Sequence, residues 1–372
     1  MVGTRFEVEV GPVAHGGHCV ARVALPAGEV EQRPSRDSSS RVVFVRHALP
    51  GERVILEITE GTEGDRFWRG DAIEVLAASP DRVPAPCPYA GPGLCGGCDF
   101  QHVGLEAQRR LKASVVAEQM RRIAGLEVSL VVEAVPGDRD GLAWRTRQRH
   151  VALPGGRRGM HKHRSHDLIP VETCLLEAPE GPHHEVHGRR FEVDGASFWQ
   201  VHPGAPQALV DAVVEALAPQ PGERALDLYA GVGLFSSFLL DEVGADGAVA
   251  AIEGDRTGSD LSVRNCPGVV ARTGDVASVL AGGLPPEWDT ADLVVLDPPR
   301  AGAKRAVVDQ IAARSPRAVA YVACDPAALA RDVAIFAEHG YGLSSLRAFD
   351  LFPMTHHVEC VALLTKTGSD LR

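Results

Sequence analysis

Asp227-Leu228-Tyr229-Ala230-Gly231-Val232-Gly233-Leu234-Phe235 joins an apolar run, residues 225–229, to a following helix through a glycine turn. Glycines at such a turn let the backbone approach a ligand closely without a side-chain clash. From residue 208 onward, helical patterns alternate with short apolar runs at 225–229, 248–253, 269–272, 293–297, 318–323 and 357–364. Such runs read as buried strands of a mainly parallel sheet. The alternation predicts an α/β, doubly wound, Rossmann-like domain over residues 191–372. Ligands in such sheets bind beyond the carboxyl ends of the strands, so the strand ends are where chemistry is expected.

Five strand ends carry acids or a thiol. A dinucleotide fold calls for a third glycine where Ser236 stands, so the G-x-G alone is weak. Asp227 before the turn and Glu253 at the next strand end favour S-adenosylmethionine instead, because a carboxylate at the position of Glu253 can accept hydrogen bonds from both ribose hydroxyls. Asp275, after the third strand, is placed to meet an adenine edge. Asp297-Pro298-Pro299-Arg300 closes the fourth strand, where the prolines stiffen the backbone and Arg300 suits a grip on a uracil or a phosphate. Cys324, in Tyr321-Val322-Ala323-Cys324-Asp325-Pro326, ends the fifth. A Cys after a strand is most often an inert packing residue. The glycine turn, the proline-rich strand end and a carboxylate at Glu359 place this thiol to act rather than to pack.

A chain of 372 residues with 45% hydrophobic content is long enough for two or three domains, each with a core. No apolar run reaches the length of a membrane span, and residues 1–10 lack the order of a signal peptide. A cytoplasmic protein without membrane contact is expected, acting as a monomer. Eight cysteines in such a chain point to metal or catalytic roles. The net charge of −11 argues against nucleic acid until its distribution is read. Residues 101–170 carry 13 basic and 7 acidic groups, and Trp144 to His166 holds seven Arg or Lys, four His and no acid. That stripe is the footprint expected for a polyanion such as RNA.

Residues 1–78 read as five short strands, at 5–10, 19–25, 41–45, 53–59 and 69–76, forming a small OB-like β-barrel with a polar loop at 31–40. A Pro- and Gly-rich linker at 80–92 opens a small central α+β domain over residues 79–190, with a helix at 104–124. Cys87, Cys95 and Cys98 lie within twelve residues of one another, and Cys174 follows. Four thiolates suit either zinc or a 4Fe–4S cluster, with His102 as an alternative fourth ligand for zinc. Cys19, Cys266 and Cys360 have no partners at useful spacing and are expected to pack.

Taken together, these pieces resemble the RNA uracil-5-methyltransferase family, whose members form 5-methyluridine in tRNA or ribosomal RNA. Gly16–Arg22 and Phe44–Glu52 look like a TRAM domain, and the most specific motifs are Asp297–Gly302, Ala323–Pro326 with Leu329–Asp332, and Phe352–Glu359. The resemblance implies that Cys324 is the nucleophile and Glu359 the proton acceptor. It makes Gln200, Tyr229, Glu253, Asp275 and Asp297 contacts to S-adenosylmethionine. It also favours a structural 4Fe–4S cluster on Cys87, Cys95, Cys98 and Cys174 over zinc. Three residues depart from the family pattern: His202 for Asn, Leu234 for a small polar residue, and Asp325 for Asn.

The implied chemistry explains the residue set. Carbon 5 of uracil is too weak a nucleophile to attack a sulfonium methyl until a thiolate has added to carbon 6 and made an enolate. A base must then remove the proton from carbon 5 before the thiol can leave. Arg300 or a helix amino end is expected to lower the thiol pKa, and burial to raise that of Glu359. The uridine must also leave its stack. Two other readings are a cytosine-5 RNA methyltransferase and an RNA-binding iron–sulfur protein without methyl transfer.

Overall fold

The computed structural model describes residues 1–24 and 40–368. The loop expected at 31–40 lies outside the described residues except for Ser40. Five strands open the chain: β1 (Arg5–Glu9), β2 (Cys19–Ala24), β3 (Ser40–Arg46), β4 (Arg53–Glu60) and β5 (Phe67–Ala77). They pair in the order β1-β4-β5-β3-β2 and curl into a barrel-like sheet. Each strand alternates, so Val8, Val43, Val45, Val54, Leu56 and Ile58 turn inward onto fully buried Trp68. The predicted strands agree with these to within a residue or two.

The segment at 80–92 has neither helix nor strand, as expected of a linker, yet it is not slack. Arg82 donates from Nε and a terminal nitrogen to buried Glu52, each at 2.6 Å, and to the His47 carbonyl at 2.8 Å. Helix α1 (Leu105–Gln119) then continues through a π-turn, Met120–Ala124, and stops at Gly125 in the left-handed region (φ 70°). This helix is buried on two sides. Ala107 and Val115 join the barrel core, while Val116 and Met120 join the core of the large sheet.

Strand β6 (Val132–Glu133) leaves the central region to pair with the large sheet. The basic stripe folds as a three-stranded antiparallel sheet of β7 (Val151–Leu153), β8 (Arg157–His161) and β9 (Leu168–Val171). A two-residue hairpin, β10 (Glu185–Val186) with β11 (Arg189–Arg190), precedes α2 (Ala205–Leu217). The remaining elements are β12 (Arg224–Leu228), α3 (Leu234–Val243), β13 (Ala248–Glu253), α4 (Arg256–Asn265), β14 (Val270–Thr273), α5 (Val276–Gly282), β15 (Leu293–Leu296), α6 (Lys304–Ala313), β16 (Ala318–Ala323), α7 (Pro326–Glu338), β17 (Tyr341–Phe349) and β18 (Glu359–Lys366).

The large sheet has eight strands in the order β14-β13-β12-β15-β16-β18-β17-β6. Strands β14 to β16 run parallel, and β18 enters antiparallel between β16 and β17. Apolar cores cover both faces, as a parallel sheet requires. The expected α/β doubly wound fold is present, with β17 and β6 as strands the apolar runs did not announce.

Candidate active site

A cavity of about 680 Å³ opens beyond the carboxyl ends of β12, β13, β15 and β16. Its wall includes Gln200, Tyr229, Glu253, Asp275 and Asp297, which are the five residues expected at the methyl donor, together with Cys324 and Glu359. The turn after β12 is built for close approach. Gly231 and Gly233 hold φ of 54° and 87°, and a Cβ on Gly233 would stand 3.1 Å from the Ser262 backbone. Tyr229 is also held at φ 63°, a strained conformation for a non-glycine residue that turns its ring toward the cavity.

Asp227 lies behind this turn and is 1% exposed. Its Oδ2 accepts from Ser236 N at 2.8 Å and Ser236 Oγ at 2.6 Å, while Oδ1 has no hydrogen-bond partner. Ser236 therefore serves the carboxylate that orders the turn. Glu253 accepts from Gly231 N and Asp255 N, both at 2.7 Å, which fixes it at the rim. Asp275 caps α5 by accepting from Ser278 N at 3.0 Å, and that contact holds its carboxyl below the ordinary range.

The register of the sheet brings thiol and base together. Ala323 of β16 lies opposite Cys360 of β18, so the next residues outward, Cys324 and Glu359, face each other across the strand ends. Glu359 is 3% exposed, and burial, reinforced by Asp297, raises its pKa well above the usual carboxylate range. Burial pushes Asp297 up to about 7, with Asp227 adding to it. The direction for Glu359 matches the expectation. The thiol does not match it. Burial first, then Glu359 and Asp297, push Cys324 up to about 12, and the opposing pull of Arg300 is outweighed. The amino end of α7 is already engaged, because Asp325 Oδ1 accepts from Ala328 N at 2.8 Å.

His357 also lines the cavity. Its Nε2 stands 3.2 Å from an Arg300 terminal nitrogen, and burial pushes the imidazole down to about 3. A second, smaller cavity of about 90 Å³ shares Cys324, Arg300 and His357 with the first and adds His15 from the barrel, whose Nε2 lies 3.2 Å from Asp325 Oδ2. Sequence reasoning missed His15; its only signal was the Ala14-His15-Gly16-Gly17 turn. Two departures from the family pattern do not line the 680 Å³ cavity. Leu234 packs in the core at the start of α3. His202 is fully buried, accepting from Gly204 N at 3.1 Å and stacked on Trp144.

Cys87, Cys95, Cys98 and Cys174 all line one cavity and are all free thiols. Gly97 N donates to Cys95 Sγ at 3.4 Å and Gln101 Nε2 to Cys98 Sγ at 3.5 Å, as N–H groups around a thiolate site would. Among the described residues no three His, Cys, Asp or Glu side chains converge closely enough to hold a single metal ion. His102 does not line the cavity that all four thiols share; it lies on the barrel side beside His47, in a cavity that Cys98 also lines.

Much of the basic stripe is spent internally. Arg147 donates to the carbonyls of Ser197 and Gly195 at 2.6 and 2.7 Å, Arg158 pairs with Glu177 at 3.1 Å, and Arg145 lies over Trp144. Arg149 and Arg157 are exposed.

Residues 287–367 match the tRNA (uracil-5-)-methyltransferase family, and residues 1–73 match the TRAM domain. The chain is 42% identical to an uncharacterized RNA methyltransferase of Streptomyces avermitilis over the full length of both. It is 32% identical to the 23S rRNA (uracil(1939)-C(5))-methyltransferase of Chromohalobacter salexigens, over 89% of this chain and 86% of that one. Its fold is similar to that of the Pyrococcus abyssi tRNA (uracil-54, C5)-methyltransferase, solved with S-adenosyl-L-homocysteine. The TM-score there is 0.66 and the identity 20%, over 90% of this chain and 98% of that one.

Proposed function

Because this chain belongs to the RNA uracil-5-methyltransferase family and methylates carbon 5 of uridine in RNA from S-adenosylmethionine, we propose that Cys324 is the nucleophile and Glu359 the base. The observation that carries this is the pairing of β16 with β18, which sets the two side chains opposite each other in one cavity. The Cys324 thiolate bonds to carbon 6 of the uracil, and the displaced electron pair makes an enolate. Carbon 5 takes the methyl that the donor's sulfonium supplies. Glu359 then takes the proton from carbon 5, the carbon 6–sulfur bond breaks, and the thiolate is regenerated. A carboxylate whose proton affinity burial has raised is a stronger base once ionised, which suits this carbon acid. Arg300 and His357 stand at the wall where the carbonyl-rich edge of a flipped uracil would lie.

Gln200, Tyr229, Glu253, Asp275 and Asp297 form the donor site. The three-part division at about residues 78 and 190 assigns the barrel and the exposed face of the β7–β9 sheet to RNA. Ribosomal RNA is the substrate better supported, since the relative acting on 23S rRNA is 32% identical over most of the chain. Cys87, Cys95, Cys98 and Cys174 hold a 4Fe–4S cluster. Their donor set fits one, and thiolates around a cube need not converge on a point as ligands of one ion must. Iron and acid-labile sulfide in the purified protein test this; stoichiometric zinc without sulfide refutes it.

Glu359→Gln tests the central step. The variant should transfer labelled methyl once and stall as a covalent protein–RNA adduct that survives denaturant. Run with a 23S rRNA fragment and with tRNA, it should trap the ribosomal fragment. Normal turnover of the variant would assign the base elsewhere.

A further inference from the structure

The loop that carries His357 and Glu359 is built around the residue that follows Cys98. Asp99 N and Phe100 N both donate to the Met354 carbonyl at 3.0 Å. The Asp99 carboxylate then accepts from His356 twice, at its backbone N (3.1 Å) and its Nδ1 (2.6 Å). The other carboxylate oxygen lies 3.6 Å from an Arg46 terminal nitrogen at the end of β3, and Arg46 also donates to the Cys98 carbonyl at 3.4 Å. The barrel closes the arrangement from above. A Cβ on Gly17 would come within 2.5 Å of His356 Cβ, so only glycine fits there.

His356 does not line the 680 Å³ cavity, but His357 does. The two rings lie 4.0 Å apart, and His357 in turn holds Arg300 at 3.2 Å. A line of contacts thus runs from Arg46 through Asp99, His356 and His357 to Arg300, ending beside Cys324. None of these links is a hydrogen bond or ring contact to Gln200, Glu253 or Asp275, although Arg300 and His357 line the same cavity as those three.

We infer that Asp99 is a positioning residue for methyl transfer: through His356 it fixes His357 and Arg300 against the uracil, and it ties that geometry to the thiol-bearing loop at Cys95–Cys98. The inference rests on the assignment of the uracil side to Cys324, Arg300 and His357. Asp99 touches no reacting atom.

The test is a double-mutant cycle with Asp99→Asn, His356→Gln and the pair, in the full chain, with S-adenosylmethionine affinity and iron content measured on each. A charge-assisted, buried hydrogen bond lost from a single partner predicts a fall in kcat/KM for RNA of about ten- to hundredfold. The two single losses should not multiply in the double variant, and donor affinity should stay within about twofold. Losses that multiply, an unchanged kcat/KM, or donor affinity falling in step with RNA turnover would each overturn the inference. Asn keeps the shape of Asp, and Gln fills much of the imidazole's space while carrying its amide near the position of Nε2 rather than Nδ1, so both variants retain the packing of the loop and lose the charge-assisted bond. Turnover surviving Cys324→Ala would instead sink the covalent mechanism, and the cycle would still read whether Asp99 acts through His356.

Discussion

Cys324 of the free enzyme should resist alkylation in a way that reports its surroundings. Its pKa is pushed from an ordinary value near 9.0 to about 12, by burial first and by Glu359 and Asp297 after it. At any pH below 9 the thiolate population is then about a thousandfold smaller than that of an unperturbed thiol. Each remaining thiolate is more nucleophilic, with a Brønsted slope of about 0.4–0.5, so the net rate should be slower by about 30- to 60-fold. Iodoacetamide labelling from pH 7 to 10, read peptide by peptide by mass spectrometry with the denatured chain as internal standard, measures this. For wild type, the logarithm of the Cys324 rate should climb by about one per pH unit across the whole range, since the pKa lies above it. The denatured control should flatten near 9. Glu359→Gln removes the second-largest cause and should lower the apparent pKa, though not to 9, because burial remains. A Cys324 profile that flattens at or below pH 9 in wild type would refute the reasoning, as would slower labelling in Glu359→Gln. Steric shielding alone would lower the rate without moving the plateau.

Two further changes probe parts of the fold that serve the site. Lys112, 1% exposed, donates to Asp350 Oδ1 at 2.5 Å and to the Phe352 carbonyl at 3.0 Å, which pins the start of the catalytic loop to α1. Lys112→Met should cost about 3 kcal/mol in denaturant unfolding, at the low end for a broken buried pair because Arg109 stays 3.3 Å from Asp350; a loss under about 1 kcal/mol would show the pair to be dispensable. Arg149→Gln with Arg157→Gln should weaken RNA binding and flatten the log-affinity salt slope by about 0.7–0.9 per lost phosphate contact. An unchanged slope would mean that this face does not meet the backbone of the RNA.

The strand ends that carry the site were legible because each follows an apolar run too short for a helix, and parallel strands buried on both faces leave that signature. Strand β17 was not, since Gly342, Ser344 and Ser345 interrupt its pattern and a register shift falls between Leu343 and Ser345. The two residues of β6 are too few to show a period. Charge misled twice. The stripe from Trp144 to His166 counts Arg147 among its cations, but chain folding points that guanidinium at carbonyls of residues 195 and 197. Arg300 is near Cys324 in the sheet, which suggested an acidified thiol. The antiparallel insertion of β18 brings Glu359 nearer in effect, and no local pattern encodes that insertion.

Helix α1 has no solvent side wide enough to stand alone, because one flank completes the barrel core and the other completes the sheet core. Removing residues 1–78 would strip cover from Ala107 and Val115, and a fragment ending before β12 would leave Val116 and Met120 bare. Heat or denaturant should therefore melt barrel and sheet as one cooperative unit. For the same reason, a different nucleic-acid module could be grafted onto the catalytic half only if it brought a matching partner for this helix.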